Sequence, residues 1–106
     1  MTDLEVISML KTLSLGIAPD HNPIGQKVPF ATYSYTVTPY SASDTAYINR
    51  YAFMVRVFMS KLDQKIFKEI ESKFLQNEIV WTRSEPIWID DSNVFEIDYE
   101  FGTIGA

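Results

Sequence analysis

Between Pro29 and Leu75 the sequence sets two long β-prone runs, Phe30–Thr38 and Tyr47–Met59, on either side of a polar stretch, then continues into an amphipathic segment, Leu62–Leu75. The first run alternates Ala31, Tyr33, Tyr35 and Val37 against Thr32, Ser34, Thr36 and Thr38, the period of a half-buried strand. The second alternates Tyr51, Phe53, Val55, Val57 and Met59 against Arg50, Ala52, Met54, Arg56 and Phe58. The intervening Pro39-Tyr40-Ser41-Ala42-Ser43-Asp44 is polar and loop-like, so the pair predicts a β-hairpin with a long loop. Because Tyr47–Met59 is longer than a usual strand, its distal end, Tyr47–Arg50, is expected to project beyond the sheet as an arm. In the segment that follows, Ser60 is positioned as an N-cap. There Leu62, Ile66, Phe67, Ile70, Phe74 and Leu75 form an apolar stripe, with Lys61, Asp63, Lys65, Lys68, Glu69, Glu71 and Lys73 facing water, as in a helix lying on a sheet. Such a core is complete without any reactive residue.

The flanking segments extend this pattern. Thr2-Asp3-Leu4-Glu5 has the form of a capping box, in which hydroxyl and carboxylate satisfy each other's backbone N–H groups. Val6, Met9, Leu10, Leu13 and Ile17 keep helical spacing behind it, with Gly16 placed to end or loosen the last turn. Ala18–Val28, containing Pro-Asp-His-Asn-Pro-Ile-Gly, reads as a loop, and Pro29 falls at the strand entrance. Further on, Ile79–Thr82 begins another strand, a bend at Glu85-Pro86 and a turn at Asp90–Asn93 enclose the short Ile87-Trp88-Ile89, and Val94–Phe101 is the last strand. In that strand Phe95, Ile97, Tyr99 and Phe101 oppose Val94, Glu96, Asp98 and Glu100, so its outer face is acidic. The predicted architecture is a single α+β domain over 1–106. It has a mainly antiparallel sheet of about four strands, two helices packed on one face and the order α-β-β-α-β-β. The exposed edge and polar face of such a sheet need cover, which an oligomer partner can supply.

Composition narrows the function classes. At 106 residues the chain has room for one core. Its formal charge of -5 comes with bases scattered through the sequence rather than gathered in a stripe, which argues against tight duplex binding. The absence of cysteine removes disulfides, thiolate nucleophiles and thiolate metal sites. No window approaches the ~20 apolar residues of a membrane helix. The start Met-Thr-Asp-Leu-Glu lacks the basic and apolar regions of a secretion signal, so the expected place of synthesis is a cytoplasm, without membrane association.

Few residues suggest chemistry. His21, the single histidine, sits in a Pro/Asn-rich loop without sequence-local partners and reads as a solvated side chain. Asp90 and Asp91 resemble half of a calcium loop, but the spaced oxygen ligands and glycine of that motif are missing. Glu96, Asp98 and Glu100 share a strand face; alternation on a solvated face explains them, and Arg50 or Arg56 are candidate partners across strands or subunits. Tyr33, Tyr35, Tyr47 and Tyr51 could stack on RNA bases, yet in a negative chain they read as core or interface residues, and Trp81 and Trp88 fit burial or a subunit contact. No catalytic residue, cofactor or metal site is expected.

Several phrases together carry a family resemblance. Val28-Pro29-Phe30-Ala31-Thr32-Tyr33, Val37-Thr38-Pro39-Tyr40-Ser41-Ala42, the Tyr-centred second strand, the charged helix Lys61–Leu75 and the terminal Val94–Phe101 resemble the tail completion, or tail terminator, proteins of long-tailed (siphovirus-like) bacteriophages and prophages. The resemblance implies a virion structural protein that assembles with itself as a ring, usually a hexamer, on the last ring of tail tube protein. It implies that the ring stops tube growth and offers a surface to the head-side connector or stopper protein, with DNA passing through unbound. An α+β subunit without catalytic residues is implied as well. The loops Pro39–Tyr47 and Ala18–Lys27 are then candidates for contacts above and below the ring, with Tyr40, Ser41, Asp44, Tyr47, Arg50, His21, Asn22 and Trp88 as candidate interface positions. The competing readings are another neck component, such as a head-closure or stopper protein, and a regulatory α+β module holding a small molecule between helix and sheet.

Overall fold

The computed structural model describes residues 1–20, 27–41 and 47–105. Two helices, α1 (Asp3–Leu10) and α2 (Gln64–Gln76), accompany six strands: β1 (Gly16–Pro19), β2 (Phe30–Ser41), β3 (Tyr47–Met59), β4 (Trp81–Arg83), β5 (Ile87–Ile89) and β6 (Val94–Gly105). All six belong to one sheet of order β1-β2-β3-β6-β4, with β5 also paired to β6. The class is α+β and the sheet mainly antiparallel, but it has six strands rather than about four, the order is α-β-β-β-α-β-β-β rather than α-β-β-α-β-β, and the first pairing, β1 with β2, is parallel.

Of the two added strands, β1 and β5, the first arises where a longer first helix was expected. The capping box forms, with Thr2 and Glu5 exchanging hydrogen bonds, but α1 stops at Leu10 with Lys11 as C-cap. Thr12 turns its hydroxyl onto the Met9 carbonyl at 2.6 Å, and Ser14 gives both its N–H and its hydroxyl to Glu69 of α2, at 3.1 and 2.8 Å. Short polar side chains that compete for backbone partners end helices in this way. Leu13 and Leu15 then point inward in succession and Ile17 packs against the core, a period of two that leads into β1 through Gly16 and Ala18. Those residues, assigned by spacing to the end of a helix and the start of a loop, are strand.

The central hairpin keeps the predicted register. Ala31, Tyr33, Tyr35 and Val37 of β2 face Val57, Val55, Phe53 and Tyr51 of β3. β2 runs three residues further than expected, through Pro39, Tyr40 and Ser41. The expected arm is shorter than Tyr47–Arg50, because β6 continues to Gly105 and pairs with Asn49 and Arg50. β4 and β5 follow one another along the other edge of β6. At the break before Pro86, the Ser84 N–H donates to the Asp98 carbonyl at 2.8 Å and the Ser84 hydroxyl accepts from the Asp98 N–H at 2.9 Å, replacing ladder bonds.

Both helices lie on one face, as predicted, and their inward residues Val6, Met9, Leu10, Phe67, Ile70 and Phe74 join Val55, Val57, Ile97 and Tyr99 in a single buried cluster. An aromatic row crosses this face: Tyr35 stacks on Phe53 at 4.8 Å, Phe53 on Phe101 at 5.3 Å, and Phe74 of α2 closes over Phe101 at 4.8 Å. Aromatic pairs at such spacing add about 0.5–1.5 kcal/mol each beyond the area they bury. The N-cap of α2 is Asp63 rather than Ser60, so Leu62 precedes the helix and, like Leu75, stays exposed. At its other end the Ile79 N–H donates to Phe74 O and the Glu78 N–H to Leu75 O, with Glu78 at a φ of 57°, which is a Schellman closure.

Glu71 fastens α2 to the sheet. It accepts a hydrogen bond from the buried Tyr99 hydroxyl at 2.7 Å and pairs with Arg83 at 2.7 Å, while the Arg83 guanidinium lies over the Phe67 ring. Burial and the Glu71 carboxylate push the Tyr99 hydroxyl well above the usual tyrosine range.

Candidate functional site

With both helices on one side, no layer covers the opposite face of the sheet among the described residues. The register sets its side chains in rows: Phe30, Phe58, Glu96 and Ile87; then Thr32, Arg56 and Asp98; then Ser34, Met54, Glu100 and Thr82; then Thr36, Ala52 and Gly102; and Thr38, Arg50 and Ile104. An antiparallel sheet can leave one face to water when that face is polar. This one is mixed, since Phe30 and Phe58 stack there at 4.9 Å and Ile87 and Ile104 are each 51% exposed.

One end of the face is hollowed into a groove of about 720 Å³, walled by Val28, Phe30, Phe58 and Val94 and carrying Asp20, Arg56 and Glu96. Asp20 enters it from the end of β1, where its N–H extends the β1–β2 pairing by donating to Tyr33 O at 3.0 Å. Arg56 Nη1 meets Asp20 Oδ2 at 2.6 Å, and its Nε lies 3.9 Å from Glu96 Oε2. The cross-strand partner anticipated for the acidic row is therefore Arg56. Asp20 Oδ1 and Asp98 Oδ1 are buried with no hydrogen-bond partner among the described residues. Burial, reinforced by the neighbouring Asp98 carboxylate, raises the Glu96 carboxyl to about 7, against the pull of Arg56. Asp20 and Glu96 in the groove and Asp98 beside it surround one guanidinium, so the cluster carries surplus negative charge, most fully once Glu96 is ionised above about pH 7, and its chemistry suits a cationic group carried on an apolar body. No group of three or more potential metal ligands occurs among the described residues, and no described helix is long and apolar enough to cross a membrane.

The expected interface positions do not gather at this groove. Arg50 is exposed on the same face at the far end, opposite Thr38 and Ile104. Trp88 lies in β5, 46% exposed, with its ring edge-on to Phe95 at 4.9 Å. Tyr40, Ser41 and Tyr47 pair at the end of the β2–β3 hairpin. His21, Asn22 and Asp44, and the side chains of Tyr40, Ser41 and Tyr47, lie outside the described residues. Asp20, Phe30 and Phe58 were not singled out from the sequence. The signal for the two phenylalanines was present: within their strands Phe30 is followed at i+2 by Thr32 and Phe58 is preceded at i−2 by Arg56, where a solvated face calls for a polar residue.

A second open element is the outer edge of β2. β1 pairs only with Phe30–Tyr33, and among the described residues no strand pairs with that edge from Ser34 to Ser41. The molecule is correspondingly long, 52 × 27 × 23 Å with a radius of gyration of 15.0 Å, where a compact domain of this length has about 13 Å. No protein-family model matches this chain, and no curated protein matches it.

Proposed function

We propose that this chain is a virion structural subunit that assembles into a ring, a hexamer by family resemblance, on the end of a phage tail tube. There the ring ends tube growth and gives the head-side connector a surface to join. The observation that carries this reading is the uncovered sheet face, where stacked Phe30 and Phe58 lie among charged residues. Aromatic residues and Arg within a polar surround are the composition of a protein contact rather than of a solvated face. Closed rotational symmetry buries such a surface in every copy. The open β2 edge and the hairpin end lie apart from that face and are left for the tube or connector. A subunit of formal charge -5 repeated around a channel also repels DNA in transit.

The same features suit another neck component, such as a head-closure or stopper protein. The groove at Asp20, Arg56 and Glu96 favours a small-molecule module as the reading from a different class. Its ligand would lie on the outer face, because buried side chains such as Val55, Ile70 and Tyr99 fill the space between helices and sheet.

Tail tubes separate these readings. Tubes polymerised with the chain present should be shorter and carry a ring at one end by negative-stain microscopy. A stopper protein should leave tube length unchanged and bind only tubes already closed. A protein that stays at 12.2 kDa in the presence of tubes and leaves their length unaltered is not a tail terminator.

A further inference from the structure

The exposed middle of α2 and the outer face of the sheet differ in the sign of their surplus charge. Both acids in the middle of α2 are turned to internal partners, Glu69 to Ser14 and Glu71 to Tyr99 and Arg83. Besides Gln64 and Gln76 at its ends, the helix presents to solvent the stripe Lys65, Lys68, Ser72 and Leu75, preceded by Leu62, every one exposed. The spacing of three or four residues sets these side chains in one line. Lys65 and Lys68 have no ion-pair partner among the described residues, although the chain as a whole is acidic. On the other side of the sheet lies the groove with aromatic walls and surplus carboxylates, continued by Glu100. The helix stripe has cations between two leucines; the groove has anions beside two stacked phenylalanines.

From this we infer that the basic stripe of α2 in one copy docks on the acidic outer sheet face of the next, with Lys65 and Lys68 toward Glu96, Asp98 and Glu100 and the flanking leucines on Phe30 and Phe58. The inference rests on the ring reading and specifies its interface. The two surfaces are on opposite sides of the subunit, so the contact is heterologous and propagates in one direction. Repetition closes such a contact into a ring when the rotation between copies divides a full turn, whereas a two-fold dimer would set like charges against each other. Complementary fields of this kind set partner orientation and association rate and weaken with salt.

The test uses the full chain and two charge-changed forms, Lys65→Glu/Lys68→Glu and Glu96→Gln/Glu100→Lys. Association is followed by sedimentation velocity, alone and with tail tubes added, at low and high salt. Each form should associate about tenfold or more weakly than the unaltered chain, and an equimolar mixture should recover association, because the acidic helix of one then meets a sheet face relieved of its surplus carboxylates while the basic helix of the other meets an unaltered acidic face. The single Glu100→Lys, at an exposed site, repeats the sheet arm without touching the Arg56 cluster, and circular dichroism establishes that each form is folded. If rings form equally well from both changed proteins, or the mixture shows no recovery, the interface is wrong while the ring stands. If the unaltered chain forms no assembly even on tubes, both readings fall.

Discussion

Replacing Glu71 by alanine should cost this domain about 2–3 kcal/mol, and the arithmetic follows from what the carboxylate holds. Tyr99 is fully buried and its hydroxyl donates to Glu71 Oε2 at 2.7 Å. Without that acceptor the hydroxyl is left buried and unsatisfied, at about 1–3 kcal/mol. The ion pair with Arg83 is 42% and 28% exposed on its two side chains, so it adds only about 0.5 kcal/mol. Tyr99→Phe removes donor and need together and leaves Glu71 its contact with Arg83, so it should cost about 1 kcal/mol. The double variant should therefore lose less than the sum of the singles, by about 1–2 kcal/mol. Equilibrium urea unfolding of the four proteins measures this, and the alanine variant should melt roughly 10 °C lower. Glu71→Gln keeps an acceptor and should recover part of the loss. Strict additivity, or an alanine variant within about 0.5 kcal/mol of the parent, would refute the view that this bond fastens α2 to the sheet.

Glu78→Gly should stabilise the fold by about 0.5–1 kcal/mol in the same assay, because Glu78 holds a φ of 57° that glycine adopts without a Cβ penalty; a loss of stability would mean that the Glu78 side chain makes a contribution larger than the strain. Glu96, raised to about 7 from 4.5, gives stability a defined pH dependence. Between those values the unfolded chain releases this proton while the folded chain retains it, so stability should fall as pH rises through the window, by on the order of 1 kcal/mol once partial exposure is allowed for. The difference in unfolding free energy between the unaltered chain and Glu96→Gln, measured from pH 4 to 8, should carry that slope, and a flat difference would mean that burial and the neighbouring Asp98 do not outweigh Arg56 at this carboxyl.

The β2–β3 pairing, the inward sets of both strands apart from the exposed Val37, the Phe67, Ile70 and Phe74 face of α2 and the capping box of α1 were legible in the sequence, for one physical reason: each is a local periodicity or a contact between residues a few positions apart. The length of α1 was not. Val6, Met9, Leu10, Leu13 and Ile17 fit a helix, and what ended it was the capture of Ser14 by Glu69, across 55 positions of sequence. Once the helix stopped, the alternation of Leu13, Leu15 and Ile17 carried the chain into a parallel strand that spacing alone had assigned to a helix end and a loop. The groove was equally non-local. Asp20, just past the end of β1, Arg56 of β3 and Glu96 of β6 are distant in sequence, and only the order of strands in the sheet brings them within reach of one another. Local patterning chose the elements and their buried sides; the free energy of packing those sides together decided where α1 ends, which face stays bare and which charges share it.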